Sequence, residues 1–158
     1  MIRMTWKTRK AVGALLNPYT RIGGHTIFAP PLIAHVQTDG SFGTRYGARV
    51  AAIVNSANRK QQWQDMCRID AVNSTEAEWA SVLFGVNLAV NSGQEAIGIE
   101  NDNLSVIHGL IFPKNRLRHE YAAYYRNEIQ KTSAHSVWTG VRWIPREKNR
   151  ADDLFHLR

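Results

Sequence analysis

The apolar residues change their spacing once along the chain, after Ala71, and this change restricts the possible folds. Before it, three short segments rich in β-branched or alternating apolar residues predict strands with short links, the first link being a turn at residues 40–44. After it, residues 75–91 have helical spacing, and Gly93 follows as a C-terminal cap. The chain therefore begins its fold with an antiparallel meander. The three predicted strands cover residues 32–37, 45–55 and 61–71.

The second half of the chain alternates strands with helices. The full predicted order is β-β-β-α-β-α-α-β-α. A meander followed by helix-linked strands gives an α/β fold, in which a mixed sheet has helices on its faces. The later elements are a strand at 96–102, a short helix to Leu110, a helix at 115–134, a strand at 137–145 and a last helix near the C-terminus.

The length of 158 residues and a hydrophobic fraction of 44% favour one packed domain. We place this domain at residues 32–158, because Pro30 and Pro31 mark a break before the first strand. Residues 1–31 then form a basic N-terminal extension. Trp6 lies there among lysines and arginines, which fits a nucleic-acid-binding arm, a segment packed on the sheet edge or a disordered tail.

The chain is basic, with a formal net charge of +7. A basic surface concentrates polyanions, so nucleic acid is a reasonable partner, although the same charge also serves solubility alone. Cys67 is the single cysteine, which excludes an intramolecular disulfide and a zinc site made of cysteines. We expect a reducing, cytoplasmic compartment. No apolar run is long enough to predict a membrane span.

Several acidic residues lie where strands end or helices begin, as a divalent-metal site requires. Two cations about 3.5–4 Å apart need several carboxylates, because neutral ligands cannot balance their charge. Asp39 is assigned to the first strand, but "TDGS" is also a common turn composition. Asp102 is at the end of a buried strand, but aspartate is also a good helix N-cap. Asp152, with Asp153 beside it, also suits a helix start.

A fourth acid comes from the start of the helix at 75–91, where the residues leave two alternatives. Glu76 and Glu78 both lie in the first turn, and each completes a capping box with a residue three positions earlier. The helical wheel places Glu76 nearer the apolar stripe. First-turn residues often leave the ideal wheel, so this geometry does not decide between them.

Four segments in order resemble the ribonuclease H family: "TDGSFG", "NSTEAEWASVLFGV", "IENDNLSV" and "WIPREKNRADDL". The resemblance covers most of residues 33–155. It implies a ribonuclease H-like fold with a five-stranded mixed sheet, three antiparallel strands first, flanked by helices. Matching residue by residue, it implies a catalytic and metal-binding set of Asp39, Glu78, Asp102 and Asp152, and so selects Glu78 over Glu76 and Asp152 over Asp153.

The resemblance also implies an activity: endonucleolytic hydrolysis of the RNA strand of RNA–DNA hybrids, with two Mg²⁺ ions per site or Mn²⁺ in their place. By this resemblance Asp39 bridges both ions and Glu78 also accepts a hydrogen bond from a ribose 2′-hydroxyl. A monomer is expected. Further substrate contacts are implied for Gly40, Ser41, Asn73, Ser74, Thr75, Asn103 and Arg146.

The sequence departs from the family pattern in three places. The loop "PREKN" before the last helix has no histidine, where Arg146 is the candidate cation, and Asn103 stands where serine is frequent. The basic, tryptophan-bearing helix of larger relatives is absent, and residues 112–126 are the candidate to replace it. The cations there that could follow a phosphate backbone are Lys114, Arg116, Arg118 and Arg126. Three tryptophans on predicted elements, Trp79, Trp138 and Trp143, are expected in the core.

Two other functions remain compatible with these residues. Resolvases, transposases and integrases use a similar acidic cluster on DNA, and fold alone does not settle function. A domain of the same shape could also bind RNA or protein without catalysis. The presence of all four acids argues against that last reading.

Overall fold

The computed structural model describes residues 19–22, 32–112 and 116–156, and one sheet runs through all three ranges. Within these residues the sheet has six strands. They are β1 (Thr20–Arg21), β2 (Ala34–Gly43), β3 (Gly47–Asn55), β4 (Gln62–Ile69), β5 (Ala96–Asn101) and β6 (Trp138–Trp143).

The sheet is mixed, with the strand order β1-β6-β5-β2-β3-β4. β2, β3 and β4 form an antiparallel meander, whereas β5 is parallel to both β2 and β6. The predicted mixed sheet that begins with three antiparallel strands is thus confirmed. The predicted number of five strands was one too few, because β1 pairs with β6 through Thr20 opposite Val141 and Arg21 opposite Gly140. A strand of two residues has no periodicity that a sequence could reveal.

β2 is longer than its apolar run. The sequence predicted that it ends at Gln37 and turns from Gly40, but the strand continues to Gly43. Asp39 therefore lies within the strand, directly opposite Ala51 of β3, and not in a turn. A residue inside a paired strand is held by hydrogen bonds on its own backbone, so the carboxylate of Asp39 is presented from a rigid element.

The helices are α1 (Ser74–Asn91), α2 (Leu104–Ile111) and α3 (Glu120–Ser133), followed by two 3₁₀ helices at Arg146–Lys148 and Arg150–His156. The predicted last helix is thus present, but its described part has the tighter 3₁₀ form. Its first N–H groups are bound by side chains: Arg150 N donates to Gln37 Oε1 at 2.8 Å, and Ala151 N to Asn149 Oδ1 at 3.2 Å.

Both ends of α1 are fixed by local contacts. Asn73 is the N-cap, and its Oδ1 accepts from Glu76 N at 2.9 Å, while Glu76 Oε2 accepts from Val72 N at 2.6 Å. At the other end Gly93 has a φ of +83°, and its N–H donates to Val90 O at 3.0 Å. The predicted cap at Gly93 is confirmed, since this left-handed conformation favours glycine.

The main core lies between α1, the other helices and one face of the sheet. Trp79, Val82 and Val86 of α1 pack there against strand residues such as Val36 and Ile99. The opposite face is covered in part by the second 3₁₀ helix, whose Leu154 and Phe155 pack against β3. Removal of these apolar side chains from water is the main stabilising term for such a layered domain.

Two of the three tryptophans lie where the sequence predicted. Trp79 and Trp138 are buried, but Trp143 is 41% exposed, so its predicted place in the core was wrong. Trp143 is the last residue of β6, and its indole N–H donates to the backbone oxygen of Asp102 at 3.0 Å. A residue at the end of a strand extends beyond the helices that cover the sheet, which explains its exposure.

Part of the predicted N-terminal extension belongs to the sheet, because Thr20 and Arg21 form β1. The rest of residues 1–31, including the arm around Trp6, lies outside the described residues apart from Tyr19 and Ile22. Lys114 and the last two residues of the chain also lie outside them. Among the helices that are described, none is both long and apolar enough to cross a bilayer.

Candidate active site

Three carboxylates from distant parts of the sequence converge on one small volume. An oxygen of Asp39, one of Glu78 and one of Asp102 all lie within 4.8 Å of one another. Asp39 comes from β2, Glu78 from the beginning of α1, and Asp102 directly follows β5. Since β2 and β5 are parallel neighbours, their C-terminal parts lie side by side, and this places the two aspartates together.

The approach of α1 to β2 depends on a glycine. A β-carbon on Gly40 would stand 2.4 Å from the carbonyl carbon of Ala77 and 2.5 Å from the backbone nitrogen of Glu78. Such distances are far below van der Waals contact, so only glycine permits this packing. Gly40 therefore allows the first turns of α1 to lie directly on β2, which brings Glu78 next to Asp39.

The electrostatics of the cluster are unfavourable to three negative charges. Burial, followed by the negative charges of Glu78 and Asp102, raises the pKa of Asp39 to about 9. Burial also raises the pKa of Glu78 to about 7, although hydrogen bonds from the Asp39 and Asn101 side chains oppose the change. The pKa of Asp102 is raised, again chiefly by burial. Without a counter-cation the site therefore holds protons near neutral pH.

The structure separates Glu78 from its alternative, Glu76. The carboxylate of Glu76 accepts the Val72 N–H and completes the N-terminal cap of α1. Glu78 is the member of the acidic cluster. The helical wheel, which placed Glu76 nearer the apolar stripe, gave no sign of this.

Asp152 lies at the edge of the cluster. It is not one of the three mutually close acids, but it is near enough to Asp39 to contribute to the raised pKa of that residue, and its negative charge contributes to the raised pKa of Asp102. Its side chain is 26% exposed, whereas that of Asp153 is 62% exposed and pairs with Arg150 at 3.6 Å. Of the two adjacent aspartates, Asp152 is therefore the one directed towards the site.

The segment that carries Asp152 is attached to β2 by side chains. Gln37 Nε2 donates to Lys148 O at 3.3 Å, and its Oε1 accepts from Arg150 N at 2.8 Å. Glu100 Oε1 in turn accepts from Gln37 Nε2 at 3.2 Å. Burial would raise the pKa of Glu100, but interactions with His35 and the Arg142 guanidinium outweigh it and lower the value to about 2. The ionised Glu100 thus holds Gln37 in place, and Gln37 in turn binds the backbone of Lys148 and Arg150.

Histidine is absent from the predicted loop, yet one lies near the site. His156 Nε2 is 3.6 Å from Asp152 Oδ2, one turn further along the second 3₁₀ helix. Its side chain is exposed, so the pair is a surface contact of small energy.

The predicted substrate-binding residues lie on or next to the segments that carry the acids, and their roles remain predictions. Gly40 and Ser41 follow Asp39 in β2. Asn103 is the N-cap of α2, with its Oδ1 accepting from Val106 N at 3.2 Å. Arg146 is exposed and borders a cleft with Asn149 and Asp152. The remaining three, Asn73, Ser74 and Thr75, stand at the start of α1.

Sequence reasoning missed two buried polar residues of the site. Asn101 and Asn149 are 0% and 3% exposed, and both donate from Nδ2 to the backbone oxygen of Thr38, at 3.1 and 2.8 Å. Asn101 closes the run "AIGIEN", where an amide in an otherwise buried strand was the available signal. Asn149 was inside a segment interpreted as a solvated loop.

The donor set fits a hard divalent cation. All candidate ligands are carboxylate oxygens, which Mg²⁺ prefers. With Mg–O distances of 2.0–2.1 Å, two oxygens on one ion stand at most about 4 Å apart. The carboxylates of Asp39, Glu78 and Asp102, mutually within 4.8 Å, need only small side-chain rotations to meet that limit.

A mixed sheet that begins with an antiparallel meander, with acids from β2, α1 and the end of β5 gathered at one point, defines a ribonuclease H-like protein. The sequence model of the family described as "Reverse transcriptase-like" matches residues 37–155. The chain belongs to this family, which is part of the ribonuclease H group. No curated protein matches the chain by sequence.

Solved structures support the same fold at low sequence identity. The N-terminal RNase H domain of a Mycobacterium tuberculosis protein superposes with a TM-score of 0.69 at 20% identity, covering 78% of this chain and 90% of that one. RNase H1 from the halophilic archaeon Halobacterium salinarum gives 0.67 at 20% identity, covering 77% and 93%. LC11-RNase H1, isolated from compost and solved in complex with an RNA/DNA hybrid, gives 0.65 at 16% identity, covering 77% and 92%.

Proposed function

We propose that the protein is a metal-dependent endonuclease that hydrolyses the RNA strand of RNA–DNA hybrids. The observation that carries the proposal is the convergence of Asp39, Glu78 and Asp102 within a ribonuclease H-like fold. The net charge of +7 supports a polyanionic substrate. A further support is that one similar structure, LC11-RNase H1, was solved with an RNA/DNA hybrid.

The four carboxylates are the ligands in this proposal. Asp39, which is buried, would be a ligand of both of two Mg²⁺ or Mn²⁺ ions. Glu78 and Asp102 would complete the ligands of one ion, and Asp152 would hold the other. When bound, the ions supply activation of a water nucleophile and stabilisation of the charge that develops on the leaving 3′ oxygen. The raised pKa values of Asp39 and Glu78 are consistent with a site whose charge is balanced by cations.

Neighbouring groups bind and orient the hybrid. The second carboxylate oxygen of Glu78 accepts a hydrogen bond from a ribose 2′-hydroxyl, the group that distinguishes RNA from DNA. The backbone amides of Gly40 and Ser41 contact the same strand. Asn103 and the exposed Arg146 contact the substrate near Asp102. The polar residues at the start of α1 contact the DNA strand, and they are Asn73, Ser74 and Thr75.

The test is a cleavage assay with labelled strands. The protein is incubated with an RNA–DNA hybrid, a DNA duplex and an RNA duplex, with Mg²⁺, with Mn²⁺ and with EDTA. We expect internal cuts in the RNA strand of the hybrid alone, dependent on either metal, and none from the Asp39→Asn variant. Asp70→Asn, which changes an exposed aspartate after β4, serves as the matched control.

Each other outcome assigns a different function. Cleavage of the DNA duplex in preference to the hybrid would identify a DNA nuclease of the resolvase or integrase type. Binding of nucleic acid without cleavage in either metal would identify a non-catalytic domain. If Asp39→Asn cut the hybrid at the parental rate, the assignment of the acidic cluster would be wrong.

A further inference from the structure

We propose that Asn101 and Asn149 are positioning residues that hold the acidic cluster ready for metal, an inference that rests on the proposed metal site. Neither residue belongs to the four predicted ligands. Both are buried and both bind the backbone oxygen of Thr38, the residue immediately before Asp39.

Asn101 connects three elements through one amide. Its Nδ2 lies 3.1 Å from Thr38 O, 3.0 Å from Thr38 Oγ1 and 3.3 Å from Glu78 Oε2. Its Oδ1 accepts the N–H of Asn103 at 2.8 Å, which closes the turn that contains Asp102. The side chain thus ties β2, the first turns of α1 and the end of β5 to each other.

Position 101 requires an uncharged hydrogen-bond donor. Glu78 already shares its surroundings with two other carboxylates, so an aspartate at position 101 would add repulsion. An apolar residue at position 101 would remove the N–H donor of Asn101 from Thr38 Oγ1 and from Glu78 Oε2. Loss of a hydrogen-bond partner in a buried site is unfavourable. The amide of Asn101 orients the Glu78 carboxylate without adding charge.

Asn149 performs the corresponding task for the other side of the site. Its Nδ2 donates to Thr38 O at 2.8 Å, and its Oδ1 accepts from Ala151 N at 3.2 Å. Because Ala151 precedes Asp152, the contact fixes where the second 3₁₀ helix begins relative to β2. The two asparagines therefore place all four acids relative to one peptide, Thr38–Asp39.

The test compares Asn101→Leu and Asn149→Leu with the parent protein and with Thr139→Val. Thr139 is buried in β6, and its hydroxyl is bonded to Ser136, so Thr139→Val removes a buried hydrogen bond outside the site. Calorimetry measures binding of manganese chloride and of magnesium chloride. Thermal unfolding in EDTA measures stability, and kcat and KM are measured on the hybrid.

We expect each asparagine variant to bind metal about 10- to 100-fold more weakly, the range usual for groups that orient metal ligands. kcat should fall, with KM for the hybrid changing much less. Thr139→Val should lower the unfolding temperature but leave metal affinity at the parental value. If both asparagine variants had a lower unfolding temperature but parental metal affinity and parental kcat, the positioning role would be refuted.

Should either leucine variant fail to fold, Asn101→Ser or Asn149→Ser replaces it, since serine leaves room for water, and the same criteria apply. The metal titration separates this inference from the proposed function. A parent that binds metal but leaves hybrid intact, with weakened binding in the variants, supports the positioning role and refutes the hybrid as substrate. A parent that binds no divalent metal refutes both.

Discussion

Gly40 and Ala77 touch through their backbones, so that a β-carbon on Gly40 would stand 2.4 Å from both the carbonyl carbon and the carbonyl oxygen of Ala77. This contact joins the strand that carries Asp39 to the helix that carries Glu78. Neither partner is a flexible side-chain end, so the contact cannot adjust without moving α1 relative to β2. The distance between the carboxylates of Asp39 and Glu78 thus depends on the absence of a side chain at position 40.

Gly40→Ala should therefore disable the site. The added methyl group pushes the start of α1 from the sheet, which separates Glu78 from Asp39 and weakens metal binding. Overpacking of this kind destabilises by about 1–3 kcal/mol. Gly43→Ala is the control, because a β-carbon on Gly43 meets nothing within 4 Å. Denaturant unfolding and metal titration of both variants check the prediction, and equal metal affinity in the two would contradict it.

The adjacent aspartates at 152 and 153 should respond differently to the same change. Asp152→Asn removes a carboxylate that lies near Asp39, so we expect hybrid cleavage to fall by at least about tenfold. Asp153→Asn removes only an exposed pair with Arg150, and activity should stay within about twofold with stability changed by less than about 1 kcal/mol. Steady-state kinetics decide, and a larger loss in Asp153→Asn would reverse the assignment.

Much of the fold could be predicted because its signals are local. The helical spacing of residues 75–91 and the glycine after it reported α1 and its cap, and both are present at Ser74–Asn91 and Gly93. The apolar runs before Asp39 and Asp102 also indicated that strands carry both acids. These features depend on residues that are close to each other along the chain, so a single sequence is enough to recognise them.

The parts that were missed depend on contacts between distant residues. Trp143 looks like a core residue in sequence, but the coverage of the sheet ends before the end of β6. β1 is a strand only because β6 offers an edge, and Asn149 is buried only because Thr38 lies beneath it. Nothing local marks such residues, since tertiary partners decide their environment.

Tyr19 tests the predicted start of the domain at residue 32. It is 4% exposed, its hydroxyl is 2.7 Å from His35 Nδ1, and the Arg142 guanidinium lies 4.3 Å from its ring centroid. Gly98 and Gly140 leave room for the tyrosine, since β-carbons on them would stand 2.4 and 2.9 Å from its atoms. Tyr19, which belongs to the predicted extension, therefore packs with Trp138 and Ile33 in a small hydrophobic cluster.

A chain that begins at residue 32 should be less stable than one that begins at residue 19. Loss of the Tyr19 side chain exposes Trp138 and leaves a gap, for which about 2–4 kcal/mol is expected. The chain that begins at residue 19 keeps Tyr19 and β1, and the Tyr19→Phe variant of the full chain, which loses only the hydroxyl, should be destabilised by about 1 kcal/mol. Urea unfolding measures all three, and equal stability of the two truncated chains would confirm a boundary at residue 32.

The acidic cluster should make the metal-free protein less stable as pH rises. Burial raises the pKa of Asp39 from its ordinary value of 3.8 to about 9, and that of Glu78 from 4.5 to about 7. From about pH 4 to 9 the folded protein keeps protons that the unfolded chain releases, so the free energy of unfolding falls with rising pH. Glu100, with its pKa lowered to about 2, acts oppositely and loses its stabilising effect as pH falls from about 4.5 to 2. For these three groups maximal stability is therefore expected at about pH 4.

Unfolding in EDTA at constant ionic strength, measured at pH 5 and pH 8, checks this expectation. The parent should be less stable at pH 8 by at least the equivalent of one pKa unit, about 1.4 kcal/mol. Asp39→Asn removes the most perturbed carboxyl group, so its stability should depend less on pH and exceed that of the parent at pH 8, whereas the exposed Asp70→Asn should follow the parent. Saturating Mg²⁺ should restore the stability of the parent at pH 8, because the cation replaces the protons that the cluster otherwise retains. Its effect on the stability of Asp39→Asn should be smaller. A parent whose stability in EDTA is the same at both pH values would show that the three carboxylates do not share one confined space.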